Sequence, residues 1–335
     1  MNNILKSKVT NDDIHSNSMR PESFDEYIGQ NKVVDKIRIF IEAAKKRQEP
    51  LDHVLLSGPP GLGKTTMANL IARDLGVDLK ITAGPALERS GDIAAILTSL
   101  KHGDILFIDE IHRLSRNVEE TLYSAMEDFK LDIIIGKGPS ARTIRIDLTP
   151  FTLIGATTQP SRVSSPLRTR FGVLLRLDFY SIDSLKTIVT NLSKRTGIEI
   201  DESGAMEIAK RGRGTPRIVT RILRRVRDFA EIRGDGIITH DIACKALELL
   251  DIDEMGLDEL DRRILEIIIK NYSGGPVGLD TVAVAVGEER DNIYEVCEPF
   301  LIKKGFLIRT PKGRIATKMA YDHIGVEFKG EKTDE

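Results

Sequence analysis

Apolar residues follow three successive patterns along this chain. From about residue 20 to 180, apolar runs of four or five residues end in glycine or charge, as in His53-Val-Leu-Leu-Ser57, Asp104-Ile-Leu-Phe-Ile108 and Phe151-Thr-Leu-Ile-Gly155. Runs that short and that uniformly apolar predict buried parallel strands. Helical periodicity fills the intervals, for example Thr65 to Leu75, with Gly76 placed as a C-terminal cap. Strands alternating with helices predict an α/β domain on a parallel sheet, spanning 1–180. From 181 to 252 the text predicts helix alone. Ser181-Ile-Asp-Ser184 is a helix entry, and Thr215-Pro216 sets an N-cap residue before proline at the first helical position. From 253 to 335 the pattern changes again. Leu257 to Tyr272 predicts an amphipathic helix broken by Gly274-Gly-Pro276, and 279–286 and 291–304 predict two more. Phe306-Leu-Ile-Arg309, the turn Thr310-Pro-Lys-Gly313 and Arg314-Ile-Ala-Thr317 then predict a hairpin. Three helices and a hairpin in that order predict a winged-helix domain. The sequence carries no internal repeat.

Composition narrows the class. The chain has 335 residues, 41% hydrophobic and 30% charged, which suits a soluble protein of two or three domains. No apolar stretch approaches the length of a membrane span, and the start, Met1-Asn-Asn-Ile-Leu-Lys, lacks the apolar run of a secretory signal. The polar first eighteen residues predict a frayed tail. Cys244 and Cys297 stand far apart, which predicts a reduced, cytoplasmic setting and packing roles for both. Net charge is −2, so contact with nucleic acid has to come from local basic patches.

The sharpest chemistry is Gly58-Pro-Pro-Gly61-Leu62-Gly63-Lys64-Thr65, followed by Thr66, a complete P-loop between a strand and a helix. Its glycines let backbone N–H groups turn inward around phosphates, and the helix N-terminus adds a favourable dipole. Lys64 is placed to reach the β- and γ-phosphates of ATP, and the Thr65 hydroxyl to bind Mg²⁺. Farther along, Ile105-Leu-Phe-Ile108 leads into Asp109-Glu110, an acidic pair at the C-terminal end of a buried strand. Asp109 fits an Mg²⁺ role through water, and Glu110 fits a residue that polarises attacking water. The alternative is a pair of N-cap carboxylates for the turn that begins near Ile111.

Further motifs occur in the order found in AAA+ ATPases: Asp109-Glu-Ile-His112, Gly155-Ala-Thr-Thr158, Ser165-Pro-Leu-Arg-Thr-Arg-Phe171 and Gly214-Thr-Pro-Arg217. Within that group the chain resembles the RuvB family of Holliday-junction branch-migration motors from about Arg20-Pro21 to His323-Ile-Gly325. The specific stretches are Ser57 to Thr66, Phe107-Ile-Asp-Glu-Ile-His-Arg-Leu114, Arg224-Arg-Val-Arg-Asp-Phe-Ala230, Gly274-Gly-Pro-Val-Gly-Leu-Asp280 and Gly287-Glu-Glu-Arg-Asp291. The resemblance implies an ATPase domain, a lid and a DNA-binding head. It implies that Thr158 is a polar sensor at its strand end and that Arg170 is an arginine finger for the neighbouring subunit's ATP. It further implies that Arg217 is a second sensor on the lid. Arg168 competes for the finger role, and a basic helix face shared with Arg221, Arg224 and Arg225 competes for Arg217. Adenine and ribose contacts carry over to Met19, Arg20, Ile28 and Tyr180, and a further nucleotide contact to Glu127-Asp128-Phe129. Two departures concern the loop that meets the adjacent subunit. Gln159-Pro-Ser161 stands where the family carries Arg-Ala-Gly, and Thr169 where it carries Asp.

Two surfaces suggest partners. Leu131-Asp-Ile-Ile-Ile-Gly136 and Arg142-Thr-Ile-Arg-Ile-Asp-Leu148 predict a hairpin around Lys137-Gly-Pro-Ser, with Ile144, Ile146 and Leu148 on one face. The resemblance makes it the protrusion that docks RuvA, against the alternative of a hairpin folded flat on its own core. The wing offers Arg309, Lys312 and Arg314 to DNA phosphates. The leading expectation is therefore a homo-hexameric, ATP-driven motor on double-stranded DNA at Holliday junctions, acting with RuvA and RuvC in recombination and repair, with no membrane role. A DNA-bound AAA+ switch of the replication-initiator or clamp-loader kind is the alternative. A winged-helix regulator that only senses ATP is a third reading, against which Arg170 and Glu110 count.

Overall fold

The computed structural model describes residues 20–135 and 142–328. The predicted N-terminal tail, Met19 and the 137–140 turn lie outside them. The chain divides into two compact units, Met1–Phe179 and Tyr180–Glu335.

The first unit is a five-stranded parallel sheet with helices around it. Its strands are β1 (Val54–Ser57), β2 (Leu79–Ala83), β3 (Ile105–Asp109), β6 (Thr152–Thr157) and β7 (Val173–Arg176), in the order β2-β3-β6-β1-β7. The three apolar runs noted in the sequence form the inner strands β1, β3 and β6, whose side chains are almost all buried. The edge strands were not anticipated. β7 alternates buried and exposed positions, and Ile81 in β2 is half exposed, so neither reads as an apolar run. His53 fixes the start of the sheet. Its Nδ1 accepts the Leu153 N–H at 2.9 Å and its Nε2 lies 3.1 Å from the Met126 carbonyl. Burial lowers its pKa, so the ring stays neutral and serves as a fixed donor–acceptor bridge between β1 and β6.

Between β3 and β6 the helix Arg116–Glu127 leads into the expected hairpin, β4 (Lys130–Ile135) paired antiparallel with β5 (Arg142–Asp147). Leu131 is buried and Ile146 packs on the core, while Ile144 is 47% exposed. Arg145 clamps Asp132 across the strands with bonds of 2.8 and 3.1 Å. The hairpin is thus anchored at its base and carries apolar surface outward.

The second unit holds a helical lid and a winged helix. The lid helices are Ile182–Thr196, Glu202–Lys210, Pro216–Arg233 and His240–Leu249; the Ser181 side chain caps the first, and Thr215 stands at the N-cap position of the third, before Pro216, without a side-chain capping bond. The expectation of helix alone over 181–252 needs one correction. β8 (Glu199–Ile200) and β9 (Ile237–Ile238) form a parallel ladder, two residues a side and too short to leave a periodic signal. The winged helix follows with Glu259–Asn271 and Leu279–Val286, then a helix over 290–304 and the wing strands β10 (Leu307–Thr310) and β11 (Gly313–Ala316). The 290–304 helix is not regular. Ile293–Cys297 is a π-helical turn just ahead of Pro299, which has no N–H to continue the α ladder. The Gly274-Gly-Pro276 break also does more than end a helix, because Val277 exchanges two backbone bonds with Arg314 and so adds a third edge to the wing. Among the described residues no helix is long and apolar enough to cross a membrane.

Candidate functional site

The P-loop leaves β1, which lies between β6 and the edge strand β7. Gly58 has φ +145°, and a Cβ placed there would lie 2.4 Å from the Leu177 carbonyl oxygen. Gly61 and Gly63 also take positive φ, and Gly63 caps the helix Lys64–Leu75. A Cβ on Gly63 would sit 3.1 Å from the Tyr27 hydroxyl, so the Tyr27-Ile28 segment lies against the loop. Glycine is needed here because backbone meets backbone and a side chain would fill the cradle. Lys64 is buried and donates to the carbonyls of Gly58 (2.8 Å) and Pro59 (3.0 Å), which hold its ammonium inside the curve of the loop. The cradle suits an anionic phosphate, with Thr65 at the start of the same helix.

The acidic pair lies two strands away, at the end of β3. Asp109 accepts the backbone N–H of Glu110 at 3.0 Å. Glu110 takes a left-handed conformation (φ +50°), uncommon for a residue with a side chain and often tied to function. Its carboxylate accepts the Thr158 hydroxyl at 3.3 Å and lies 3.4 Å from His112 Nδ1. His112 Nδ1 is also 2.9 Å from the Thr157 hydroxyl, whose oxygen accepts the N–H of Gln159. Thr158 and Glu110, distant in sequence, therefore meet, and Glu110 is not a side-chain cap for the turn after it. The roles of His112 and Thr157 were missed. Their only signal was position beside Glu110 and Thr158.

Arg170 ends the short helix Ser165–Thr169 and is mostly covered. It donates to Glu127 (3.0 Å) and to the Pro166 carbonyl (2.7 Å), and its guanidinium lies 4.5 Å over the Tyr123 ring. Buried Glu119 supports this seat. It accepts the hydroxyls of Ser164 (2.6 Å) and Tyr123 (3.0 Å), and Ser164 in turn caps the Arg170 helix. Arg168, its competitor, is exposed. Thr169 bonds the Pro166 carbonyl at 3.1 Å, so it closes its own turn. Of the Glu127-Asp128-Phe129 segment, Glu127 holds Arg170, whereas the Phe129 ring packs with His53 and Phe151 in the core.

Arg217 and Tyr180 belong to the second unit. Arg217 is exposed on the first turn of its helix, and Tyr180 is buried with its N–H bonded to the Gly214 carbonyl. In the wing the three candidate cations divide. Arg314 is bound at 2.8 Å to Glu298, itself 2% exposed, so its charge is engaged inside the domain. Arg309 is exposed and lies 5.2 Å over the Tyr294 ring, and Lys312 stands exposed at the turn. Glu207, His240 and Cys244 group their ligand atoms within 4.8 Å. Lys210 (2.8 Å) and Arg211 (2.7 Å) already occupy the Glu207 carboxylate.

Comparison with known families and structures covers the whole of this arrangement. A model described as the Holliday junction DNA helicase RuvB P-loop domain matches 19–177. The RuvB AAA lid domain matches 180–253 and the RuvB C-terminal winged helix domain matches 254–325. Among solved structures, the Thermotoga maritima RuvB Holliday junction branch migration motor is 52% identical with a TM-score of 0.86, covering 93% of this chain and 99% of that one. A K64R variant of the Thermotoga protein matches at 52% identity and a TM-score of 0.87, over 92% and 99% of the two chains. An R170A variant matches at 52% and 0.86 over the same shares.

The approach of Gly58 to Leu177 yields a direct test. Gly58→Ala should weaken ATP binding about tenfold, since backbone strain of about 1–3 kcal/mol must be relieved by moving the loop. A fluorescent ATP analogue titrated into the folded variant reads this, and unchanged affinity would show that the loop has slack.

Proposed function

The chain belongs to the RuvB family, and we propose how its own residues perform the work of that family. It is an AAA+ ATPase that drives Holliday junction branch migration. The observation that carries the mechanism is the convergence of the Gly58 cradle with the Glu110–Thr158 contact at one edge of the sheet. The P-loop holds the triphosphate of ATP, with Lys64 neutralising the β- and γ-phosphates. Thr65 and Asp109 are the residues to hold Mg²⁺, which when bound would shield phosphate charge. Glu110, steadied by Thr158 and His112, orients the attacking water and accepts its proton. Arg20 and Ile28 are the residues to contact the adenine and ribose.

Hydrolysis is completed between subunits in this reading. Arg170 leaves its seat on Tyr123 and Glu127 to reach the γ-phosphate of a neighbouring subunit in a homo-hexameric ring. Arg217 contacts the nucleotide from the lid. The wing holds double-stranded DNA phosphates through Arg309 and Lys312. The β4–β5 hairpin, with Ile144 outward, is the proposed dock for RuvA, and RuvC joins at the junction. The switch reading is not favoured, because the family and the Thermotoga motor match over all three domains.

Junction unwinding with ATP, with and without RuvA, tests the motor assignment, and no ATP-dependent unwinding in either arm would return the switch reading. Arg170→Ala should leave ATP binding intact and lower turnover by about 10³-fold or more, the range of an arginine finger. In mixed rings with Lys64→Ala subunits, activity should depend on which neighbour carries the arginine. Turnover within twofold of wild type would remove Arg170 from the site.

The wing residues separate by role. Arg309→Ala with Lys312→Ala should lower duplex affinity and reduce the slope of log K against log salt by about 2, roughly 0.9 for each lost phosphate contact. Arg314→Ala should instead destabilise the head by about 3 kcal/mol, because buried Glu298 loses its close partner and keeps only the Arg309 guanidinium, 3.9 Å away. Thermal unfolding and salt-dependent titration together read both, and an unchanged slope in the double variant would place DNA elsewhere.

A further inference from the structure

The second unit contains a joint that no role above uses. The lid and the winged helix are connected by the segment 251–258, with φ +56° at Asp251 and φ +85° at Gly256. A connection of that kind would flex if nothing held it. Here it is held from three elements. Arg211 donates through Nε to the Asp253 carbonyl (3.0 Å), and a Cβ on Gly256 would lie 3.3 Å from the Arg211 Cα. The Asp253 carboxylate accepts the N–H groups of Met255 and Leu257, each at 2.9 Å, and meets His323 from the last helix at 2.8 Å. Arg262 donates to the carbonyls of Asp251 (2.9 Å) and Leu257 (3.0 Å).

The centre of the joint is Arg213. It lies in the lid, 7% exposed, in a left-handed conformation at φ +54°. Its guanidinium reaches across to the winged helix. It donates to Asp258 at 2.8 Å and to Asp261 at 3.0 Å, and lies 4.3 Å over the Phe300 ring. Asp258 and Asp261 form the capping box of the first winged-helix helix, and Asp261 is fully buried. A planar fork bonded to two carboxylates and stacked on a ring fixes orientation as well as distance, which a lysine could not do. Four residues on is Arg217, and the intervening Gly214-Thr215-Pro216 is tied back by Thr215 N–H to the Gly212 carbonyl at 2.9 Å.

We propose that Arg213 is a positioning residue that locks lid and winged helix into one lever, so that a displacement of Arg217 by nucleotide is delivered to the wing without loss. The proposal rests on the reading of Arg217 as the nucleotide sensor and of the wing as the DNA contact. It makes Arg213 a determinant of coupling, with no part in binding ATP or DNA.

The test uses the full chain and three measurements: basal ATPase, duplex affinity, and junction product formed per ATP hydrolysed. In Arg213→Met the first two should stay within about twofold of wild type while product per ATP falls about tenfold or more, since motion is absorbed at a loosened joint. Arg213→Lys, which keeps charge without the fork, should recover only part of the loss. Asp258→Asn, which preserves the helix cap and removes one carboxylate, should lower product per ATP by about threefold. If Arg213→Met does not fold, the lysine and Asp258→Asn variants carry the test. Wild-type product per ATP in the folded variants would overturn the proposal, as would a parallel fall of all three measurements, which marks a purely structural residue. Arg217→Ala and the Arg309–Lys312 double variant run alongside. If those leave hydrolysis and DNA affinity unchanged, the underlying reading has failed and not the joint.

Discussion

Where β1 ends, backbone is packed against backbone so closely that only glycine fits, and the placement of the active groups follows from that contact. β1 lies between β6 and β7, in a register that sets Ser57 beside both Thr157 and Arg176. The next residues on each strand are Gly58, Thr158 and Leu177. The loop, the polar sensor and the carbonyl that excludes a side chain therefore sit at one level of the sheet. β3 pairs Ile108 with Gly155, which brings Asp109 and Glu110 to the same edge. Because strand side chains alternate faces, a one-residue slip of β6 would turn Thr158 away from Glu110. The chemistry is thus set by register, and register is set by buried strands that tolerate no slip.

A second rule governs the charges. Arginines inside the fold are each given a carboxylate: Arg170 has Glu127, Arg211 has Glu207, and Arg314 has Glu298. Of those meant for a ligand in our reading, Arg217 and Lys312 stand exposed, and Arg309 is exposed with only a loose contact to Glu298 at 3.9 Å. Burial with a partner lowers the cost of desolvation but also removes the charge from use. Arg170 is the intermediate case, seated against an exposed glutamate and an aromatic face that a phosphate could outcompete.

Sequence patterns gave access to features whose signal is local. The P-loop, the inner strands, the Ser181 and Thr215 helix starts and the order of the winged helix all lie within short windows. The edge strands β2 and β7 did not, because half-exposed strands carry mixed residues. The Glu199–Ile200 and Ile237–Ile238 ladder is shorter than any period, and the π turn before Pro299 looks like ordinary helix in composition. In the site, Gly58, Lys64, Asp109 and Glu110 were legible as residues. The contact of Glu110 with Thr158 spans 48 positions and that of Ser164 with Glu119 spans 45, so neither leaves a local trace. The basic turn of the wing looked uniform, and only packing distinguished Arg314, whose partner is a glutamate on the preceding helix.

The Arg213 joint shows why packing of this kind is selective. Burial first, and the neighbouring charge of Asp258 after it, push the Asp261 carboxyl up to about 7, while Arg213 works in the opposite direction. Buried Asp261 and the partly exposed Asp258 repel each other as carboxylates, and Arg213, bonded to both, offsets that repulsion at the start of the helix. The capping box that starts the winged helix and the ion pairs that bind it to the lid are therefore one structure. The helix start carries the joint, and a fixed helix start is what a lever requires at its pivot.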